Sequence, residues 1–259
     1  MSVLPAPEQK AAYVRHMFGA IAGRYDRVNR VMTFGLDQGW RRFAVDEVVA
    51  AVPRGAGRVA MLDVGTGTGD FLPLLRHALP GATVVGVDFS LPMMQAGWSK
   101  AVGPGGGGFA GGDALRLPFA DDAFDGITTG FTMRNVADLP AALREMLRVT
   151  RPGRRLACLE VAQPVNPLLR AGHRFYFNRV VPLLAGAISG NRTAYTYLPQ
   201  SAQRFPPPDE LSALLRAAGW RNPCYRLLGL GAVAVHVAEK PANDERRTTD
   251  DERRTTNDE

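Results

Sequence analysis

A glycine-rich loop at Asp63–Asp70, with the sequence Asp-Val-Gly-Thr-Gly-Thr-Gly-Asp, has the residue types of a nucleotide site. An apolar run at Arg58–Val64 leads into it, and a helical pattern at Phe71–Leu79 follows it. Glycines in such a turn let the backbone bend tightly and approach a ligand. No reading frame of the loop fits the dinucleotide spacing G-x-G-x-x-G, and no Gly-Lys-Ser/Thr follows, which excludes a P-loop.

Two carboxylates, Asp63 and Asp70, flank this loop. They would repel a pyrophosphate, whereas a sulfonium and an amino group would be attracted. S-adenosylmethionine carries both of those cations and no phosphate, so we predict that Asp63, Gly65, Gly67 and Gly69 bind it. Asp70 also fits an acidic residue favoured by the dipole at a helix N-terminus, and the glycines also fit an ordinary turn between a strand and a helix.

Two further acidic residues follow predicted strands. Asp88 ends the second apolar run, where a carboxylate can accept hydrogen bonds from both hydroxyls of a ribose. Asp113 follows two glycines at the expected end of a third strand, and we predict that it faces the adenine amino group, with the backbone N–H of Ala114 on a ring nitrogen. Asp88 also fits a turn or a cap, and Asp113 also fits an ordinary loop.

Strand and helix patterns alternate along the chain, which predicts a parallel sheet covered by helices on both faces. Leu91–Val102 is predicted as one helix and Gly103–Gly108 as a flexible turn. Two late strands, Cys224–Leu228 and Ala232–Ala238, are separated by only three residues and should form an antiparallel hairpin. The predicted fold is therefore α/β, doubly wound and Rossmann-like, with a mostly parallel seven-stranded sheet that a terminal hairpin closes.

Changes in composition divide the chain into five segments. The prediction is an N-terminal helical lid at 1–55, a cofactor-binding core at 56–161, an aromatic- and proline-rich inserted substrate lid at 162–205, a completion of the sheet at 206–240 and a disordered tail at 241–259. The tail contains DERRTT twice and almost no apolar residue, so it cannot bury a core.

The net charge is +6, and the tail does not share that sign, because it holds seven acidic and four basic residues. The remainder is therefore more basic than the whole chain. A basic body fits an anionic membrane surface, a nucleic acid or simply a solvated surface. Arg170, Arg174 and Arg179 stand beside Phe175 and Phe177, a combination that suits peripheral contact with an anionic bilayer.

Two cysteines, Cys158 and Cys224, match no metal or redox spacing, which is typical of a reduced, cytoplasmic protein. No signal peptide is visible. The longest apolar run, Val180–Ile188, is half a membrane span, so we expect contact with a membrane at most at its inner face. A homo-oligomer is compatible with the sequence, which does not fix the number of subunits.

Several stretches resemble the ubiquinone/menaquinone biosynthesis C-methyltransferases, a family of class I S-adenosylmethionine-dependent methyltransferases. The resemblance covers residues from about 15 to 240. The stretches that carry it are Tyr25–Asn29 with Trp40, Leu117–Phe119, Phe131–Val136, Arg148–Gly153 with Glu160, Tyr195–Leu198 and Gly229–His236.

Four positions depart from the family pattern. Thr33 stands where the family usually has Ser, Gly130 where it has Ser, and Ala162 where it has Gly or Cys. Asp37 stands where the family usually has His. Asp37 is the non-conservative change, so no catalytic role is carried over to that position.

The resemblance implies methyl transfer from S-adenosylmethionine to a ring carbon of a polyprenyl hydroquinone, converting demethylmenaquinol into menaquinol. A ubiquinol precursor or another small molecule is the alternative acceptor. By the same resemblance, Thr68, Asp88, Asp113 and Ala114 would contact the cofactor. Carbon methylation requires no metal, and the sequence shows no metal-ligand cluster.

Arg134 and Asn135 follow a predicted strand at the edge of the sheet where ligands of open α/β sheets bind. We expect Arg134 to stabilise the phenolate of the acceptor and Asn135 to orient its ring; a structural salt bridge is the alternative interpretation of Arg134. Tyr195 and Tyr197 are predicted to line the substrate pocket, and their spacing also suits core packing. His173 is a more distant candidate for a general base.

The basic charge raises the rival hypothesis of a nucleic-acid methyltransferase. An amino-methylating enzyme of that kind would usually show Asn/Asp-Pro-Pro-aromatic after the fourth strand, where this chain has Phe131–Arg134. We therefore expect no nucleic-acid partner. A non-catalytic protein that retained the fold is disfavoured because all three acidic cofactor positions are present.

Overall fold

The computed structural model describes residues 7–189 and 192–242, which form an α/β fold around one seven-stranded sheet. The strands are β1 Ala60–Val64, β2 Thr83–Asp88, β3 Gly107–Gly111, β4 Gly126–Gly130, β5 Arg155–Val161, β6 Arg221–Leu228 and β7 Val233–Glu239. They lie in the order β3-β2-β1-β4-β5-β7-β6. The first five strands in this order pair in parallel, and β7 runs antiparallel to both β5 and β6.

Ten α-helices occur in the described part of the chain. They are α1 Pro7–Met32, α2 Asp37–Val49, α3 Phe71–Ala78, α4 Leu91–Ala96, α5 Trp98–Ala101, α6 Leu139–Val149, α7 Pro167–Phe175, α8 Val181–Ser189, α9 Arg192–Arg204 and α10 Pro208–Ala217. A π-helical turn at Tyr176–Val180 joins α7 to α8. None of the described helices has the length and apolarity needed to cross a bilayer.

Helices cover both faces of the sheet, because successive side chains of a strand point to opposite sides. Met61 of β1 lies in a buried cluster with α2 and α3, while its neighbour Leu62 lies in a second cluster with α6 and α10. Each face therefore buries its own apolar layer, which explains the mostly apolar sequences of β1, β2 and β5. The doubly wound fold and the terminal hairpin are confirmed.

Two local predictions were wrong. The turn predicted at Gly103–Gly108 contains the start of β3, whose backbone pairs with β2 and gains little from its own small side chains. The single helix predicted over Leu91–Val102 breaks at Gly97 into α4 and α5. At Gly97 the helix approaches the glycine-rich loop so closely that a Cβ atom would lie 1.9 Å from the carbonyl oxygen of Thr68.

The segments flanking the core are helical. Residues 7–49 form α1 and α2, and α7, α8 and α9 occupy most of the segment predicted as an inserted lid. Tyr176 OH donates a hydrogen bond to the carbonyl oxygen of Met32 at 2.8 Å, which joins the insertion to the end of α1. The predicted disordered tail lies outside the described residues from residue 243 onward.

Candidate active site

The glycine-rich loop lies between β1 and α3, where the strand order reverses between β1 and β4. Ligands of open α/β sheets bind at this kind of switch point. The backbone N–H groups of Gly65 and Thr66 both donate to the carbonyl oxygen of Val87, at 2.8 and 3.0 Å. Gly65 has a φ of +65°, and a Cβ there would lie 2.0 Å from Thr132 Cγ2, so both conformation and space require glycine.

Asp88 is held beside this loop by two backbone groups. Its Oδ2 accepts from the N–H of Gly67 and its Oδ1 from the N–H of Ser90, both at 2.8 Å. Burial raises the pKa of Asp88, and the backbone hydrogen bonds partly offset that effect. Each carboxylate oxygen keeps acceptor capacity, so the fixed side chain fits the two hydroxyls of a ribose. Ser90 Oγ is buried beside it without a hydrogen-bond partner.

The two carboxylates that flank the loop interact with the protein itself. Asp63 is buried and accepts a hydrogen bond from Thr128 Oγ1 at 2.9 Å, and burial raises its pKa to about 7. Although burial alone would raise the pKa of Asp70, Arg41 and Lys100 outweigh it and keep that pKa below its usual range. The charge of Asp70 is thus balanced within the protein, so it attracts a cationic ligand less than its sequence position suggests.

A cavity of about 60 Å³ lies over the loop and is lined by Asp63, Gly65, Gly67, Thr68 and Asp88. This is far smaller than the roughly 300–1,000 Å³ of a pocket that holds a small-molecule ligand, so a nucleoside requires the elements above the loop to move. Gly69 closes the loop with a φ of +82°.

Helix α1 covers this cavity over the glycine-rich loop, the cofactor cavity. Val14, Phe18 and Tyr25 contribute to its walls. Asp26 accepts a hydrogen bond from Thr68 Oγ1 at 2.6 Å and forms an ion pair with Lys100, which also contacts Asp70 at 2.6 Å. These polar contacts connect the N-terminal helix directly to the glycine-rich loop.

Asp113 and Ala114 do not line the cofactor cavity in this conformation. Asp113 is exposed just beyond the end of β3, and its Oδ1 accepts from the N–H of Leu115 at 3.0 Å. The two residues do lie at the same carboxyl edge of the sheet as Asp88. Their contact with adenine therefore stays a prediction.

A second, largely apolar cavity of about 520 Å³ adjoins the first. α1, α2, α7 and the ends of the central strands contribute its walls. Five residues line both cavities, namely Phe18, Tyr25, Arg41, Phe131 and Asn135. A ligand in the larger cavity would therefore lie across a shared wall from a ligand on the loop.

Arg134 and Asn135 line the larger cavity, and both are buried. Arg134 Nη1 lies 3.0 Å from Glu160 Oε2, and both side chains are almost completely buried. Asn135 Nδ2 donates to the carbonyl oxygen of Phe131 at 3.2 Å. The salt bridge proposed as an alternative for Arg134 is thus present, although its Nε has no partner.

The backbone that presents Arg134 is strained. Phe131 has a φ of +58°, which aromatic residues rarely adopt, and its N–H donates to the carbonyl oxygen of Leu159 at 2.8 Å. A short 3-10 turn, Met133–Asn135, follows and directs both polar residues to the cavity. The guanidinium of Arg134 lies 5.6 Å from the centre of the Phe131 ring.

Sequence reasoning missed Arg41, which lies on the wall between the cavities. Its Nη2 is 3.4 Å from Asp70 and its Nε is 3.8 Å from Asp37, and its side chain is 5% exposed. Asp37 also accepts a hydrogen bond from Thr33 Oγ1 at 3.0 Å. An arginine directly after Trp40 of the N-terminal signature was the available signal, but its burial depends on contacts that only the folded chain provides.

The two predicted substrate tyrosines are in α9. Tyr197 lines the larger cavity, is buried and packs against α1, with its ring 5.6 Å from that of Tyr13. This packing fits the core-packing alternative, and contact of Tyr197 with the substrate stays a prediction. The side chain of Tyr195 lies outside the described residues.

A sequence model of the ubiE/COQ5 methyltransferase family matches residues 6–240. The chain belongs to this family. It is a class I S-adenosylmethionine-dependent methyltransferase, as the glycine-rich loop and the signature stretches predicted.

Relatives cover nearly the whole chain. This methyltransferase is 56% identical to a demethylmenaquinone methyltransferase from Roseiflexus castenholzii, over 92% of this chain and 98% of that protein. It is 46% identical to a demethylmenaquinone methyltransferase from Thermus thermophilus, over 87% of this chain and 100% of that protein. A ubiquinone/menaquinone biosynthesis C-methyltransferase from Desulfotalea psychrophila is 40% identical over 88% of this chain and 90% of that protein.

Solved structures share the fold. A SAM-dependent methyltransferase from Thermotoga maritima matches with a TM-score of 0.56 and 22% identity, covering 87% of this chain and 98% of that chain. An O-methyltransferase family protein from Burkholderia thailandensis matches with a TM-score of 0.60 and 16% identity, covering 84% of this chain and 60% of that chain. At such identities the likeness concerns the fold alone.

Proposed function

We propose that this methyltransferase moves the methyl group of S-adenosylmethionine to a ring carbon of a polyprenyl hydroquinone, converting demethylmenaquinol into menaquinol. The observation that carries the proposal is the apolar cavity of about 520 Å³, which shares five wall residues with the cofactor cavity. An apolar cavity of this size suits an aromatic ring with a hydrocarbon tail. The names of the relatives from Roseiflexus and Thermus support the same acceptor.

S-adenosylmethionine, when bound, supplies an electrophilic methyl group on a sulfonium leaving group. Asp88 holds the ribose hydroxyls, since both of its oxygens are already fixed by backbone N–H groups. Asp113 and Ala114, at the same edge of the sheet, contact the adenine once the cover has moved. Thr68 lies at the turn of the loop and connects it to α1 through Asp26.

Arg134 stabilises negative charge on the quinol oxygen, and Asn135 orients the ring through its unpaired Oδ1. A fixed donor in a water-poor site contributes about 3–4 kcal/mol to the stabilisation of an oxyanion. The apolar walls exclude water and so strengthen that interaction. The ring of Tyr197 forms part of the wall, and we assign Tyr195, on the same helix, to the same substrate pocket.

We also propose peripheral contact with an anionic membrane at the mouth of the larger cavity. Phe34, Leu168 and Leu230 line this cavity and are 77%, 81% and 78% exposed. Together these three residues form the mouth surface. Arg174 and Arg179 are exposed on the neighbouring insertion, so apolar side chains and cations occur together, as in interfacial membrane binding. A polyprenyl tail could then enter the cavity from the lipid.

The test is turnover of the purified protein with labelled S-adenosylmethionine and three acceptors: reduced demethylmenaquinone, a demethylated ubiquinol precursor and RNA. We expect label in menaquinone and none in RNA. Label mainly in the ubiquinol product would support the alternative acceptor. Binding of S-adenosylmethionine without transfer to either quinol would overturn the proposal.

A further inference from the structure

Five buried polar atoms without a hydrogen-bond partner belong to residues of the larger cavity. Within residues 7–189 and 192–242, ten buried side-chain nitrogen or oxygen atoms lack a hydrogen-bond partner. Half of them belong to residues that line this one cavity, namely Arg41 Nε, Arg134 Nε, Asn135 Oδ1, His173 Nε2 and Tyr197 OH. A buried polar atom without a partner is costly, so this concentration indicates a ligand with polar groups of its own.

These atoms differ in the chemistry that they can perform. The arginine nitrogens can only donate hydrogen bonds, and a tyrosine hydroxyl with an ordinary or raised pKa is a poor base near neutral pH. Asn135 Oδ1 can accept a hydrogen bond but does not take up a proton. Among these groups, the ring of His173 alone can accept a hydrogen bond and then take up the proton transiently near neutral pH.

The fold fixes His173 at the cavity wall. It lies in α7, whose start is capped by Asn166 Oδ1, which accepts from the N–H groups of Leu168 and Leu169 at 2.9 and 3.3 Å. The imidazole packs against Phe177, with ring centres 4.5 Å apart. Because the π-helical turn that follows is bonded to α1 through Tyr176, the helix that carries His173 cannot move freely away from the cavity.

The surroundings of His173 favour the neutral form of its ring, which can accept a proton. Burial lowers the pKa of the imidazole. The other titratable or charged side chains that line this cavity are Tyr25 from α1, Asp37 and Arg41 from α2, Arg134 from the turn after β4, Tyr176 from the turn after α7 and Tyr197 from α9. Asp37 is the one carboxylate among them, and it is itself paired with Arg41.

We propose that His173 is the general base that removes a proton from a hydroxyl of the bound hydroquinone. This inference rests on the proposed function. The Nε2 lone pair takes the hydroxyl proton, and the electron pair of the O–H bond delocalises into the ring. The ring carbon then forms a bond to the methyl carbon while the carbon–sulfur bond breaks, with its electron pair left on sulfur.

The remaining proton transfers restore the aromatic ring. The methylated carbon loses its hydrogen as a proton to water, and the oxygen recovers a proton from the imidazolium of His173. One proton is released overall, and His173 returns to its neutral form. Arg134 stabilises the oxyanion during this sequence, so base and cation act on the same quinol from different structural elements.

The direct test compares His173→Gln and His173→Phe with the wild-type enzyme on reduced demethylmenaquinone. We expect kcat to fall by about 10²- to 10⁴-fold, the range for loss of a general base, with an unchanged KM for S-adenosylmethionine. The wild-type kcat should decrease as the pH is lowered through the pKa of His173, because the protonated ring cannot act as a base. This decrease at low pH should be absent from the pH profile of His173→Gln.

The matched control is His77→Gln, at an exposed histidine of α3, which should behave as wild type.

A binding measurement separates catalysis from structure. Calorimetry with 2-naphthol as a hydroxyl-bearing probe should show weaker binding to His173→Phe, whereas S-adenosylmethionine should bind all variants equally. Wild-type turnover with full activity in His173→Gln would overturn the assignment of His173 and leave the proposed function intact. If the wild-type enzyme transferred no methyl group to quinols, the proposed function would be overturned instead. If both His173 variants lost affinity for 2-naphthol and for S-adenosylmethionine equally, His173 would be a structural residue and not the base.

Discussion

Arg134 combines a buried ion pair with an unpaired nitrogen at the acceptor cavity, so its two roles can be separated by mutation. Arg134→Ala should reduce kcat by about 10²- to 10³-fold, as expected for loss of one donor to an oxyanion. It should also lower the free energy of unfolding by about 3–5 kcal/mol, because Glu160 would remain buried and uncompensated. Steady-state kinetics and denaturant unfolding measure the two effects.

The matched control for Arg134 removes both charges. Arg134→Met combined with Glu160→Gln should restore most of the stability while turnover stays low. S-adenosylmethionine affinity should be unchanged in both variants. Equal losses of cofactor affinity and turnover would contradict the oxyanion role and leave Arg134 as a structural residue.

Gly65 can be tested against a second glycine with similar backbone geometry. Gly65 and Gly55 have φ values of +65° and +76°, but a Cβ atom added at Gly65 would clash with Thr132, whereas one added at Gly55 would meet nothing within 4 Å. Gly55→Ala should therefore cost only the strain of a left-handed residue, about 1–2 kcal/mol. Gly65→Ala should cost more and abolish S-adenosylmethionine binding, measured by thermal unfolding and calorimetry. Equal effects would show that backbone strain alone explains the requirement for glycine.

At the level of elements, α1 forms the cover of the cofactor cavity and its contacts should govern cofactor release. Asp26→Asn removes the ion pair with Lys100 next to Thr68. Because partly exposed pairs contribute up to about 1 kcal/mol, we expect S-adenosylhomocysteine to dissociate up to about fivefold faster in stopped-flow measurements. Asp46→Asn, at an exposed position of α2, is the control and should leave the rate unchanged. An unchanged rate in Asp26→Asn would show that α1 opens independently of this pair.

Elements with strong apolar patterns could be predicted from the sequence. The strands β1, β2 and β5 and the terminal hairpin follow from apolar runs and from the short Gly229–Gly231 connection. By contrast, β3 consists largely of glycine, so pairing with β2 rather than side-chain pattern determines it. Gly97 likewise interrupts a helix because of its closeness to Thr68, a tertiary contact that the local sequence does not encode.

The candidate site could likewise be predicted only in part from the sequence. The positions of its loop residues and of the Arg134-Asn135 pair at strand ends were predictable from motif spacing, while their roles stay predictions. The sequence did not predict that Arg41 is buried between the cavities, nor that Glu160 is the partner of Arg134. Each of these contacts joins elements that are distant in the chain. The sequence left two roles open for Asp70, attraction of the cofactor's cations and a favourable charge at a helix N-terminus, but it did not reveal that Arg41 and Lys100 balance the charge.

The molecule as a whole presents its mouth surface beside exposed arginines, which predicts charge-dependent membrane binding. Arg174→Glu with Arg179→Glu should weaken binding to phosphatidylglycerol vesicles tenfold or more, because each basic residue near an anionic surface contributes about 1 kcal/mol. The control is Arg54→Glu with Arg58→Glu, which changes the net charge by the same amount. Both residues are exposed and precede β1, at the edge of the sheet opposite to the one that carries the cavities. That control pair should bind nearly as wild type in a vesicle sedimentation assay. Equal weakening in both pairs would attribute binding to net charge rather than to this surface.

The cofactor cavity and the apolar cavity are proposed to act together in methylating a ring carbon of a hydroquinone. The decisive experiment is turnover with S-adenosylmethionine carrying a ¹³C-labelled methyl group and with reduced demethylmenaquinone in vesicles, followed by NMR of the extracted product. We expect a single labelled methyl group on the ring carbon of menaquinol. Label on a quinol oxygen, or no label in the quinol fraction while S-adenosylmethionine binds normally, would contradict the proposed reaction.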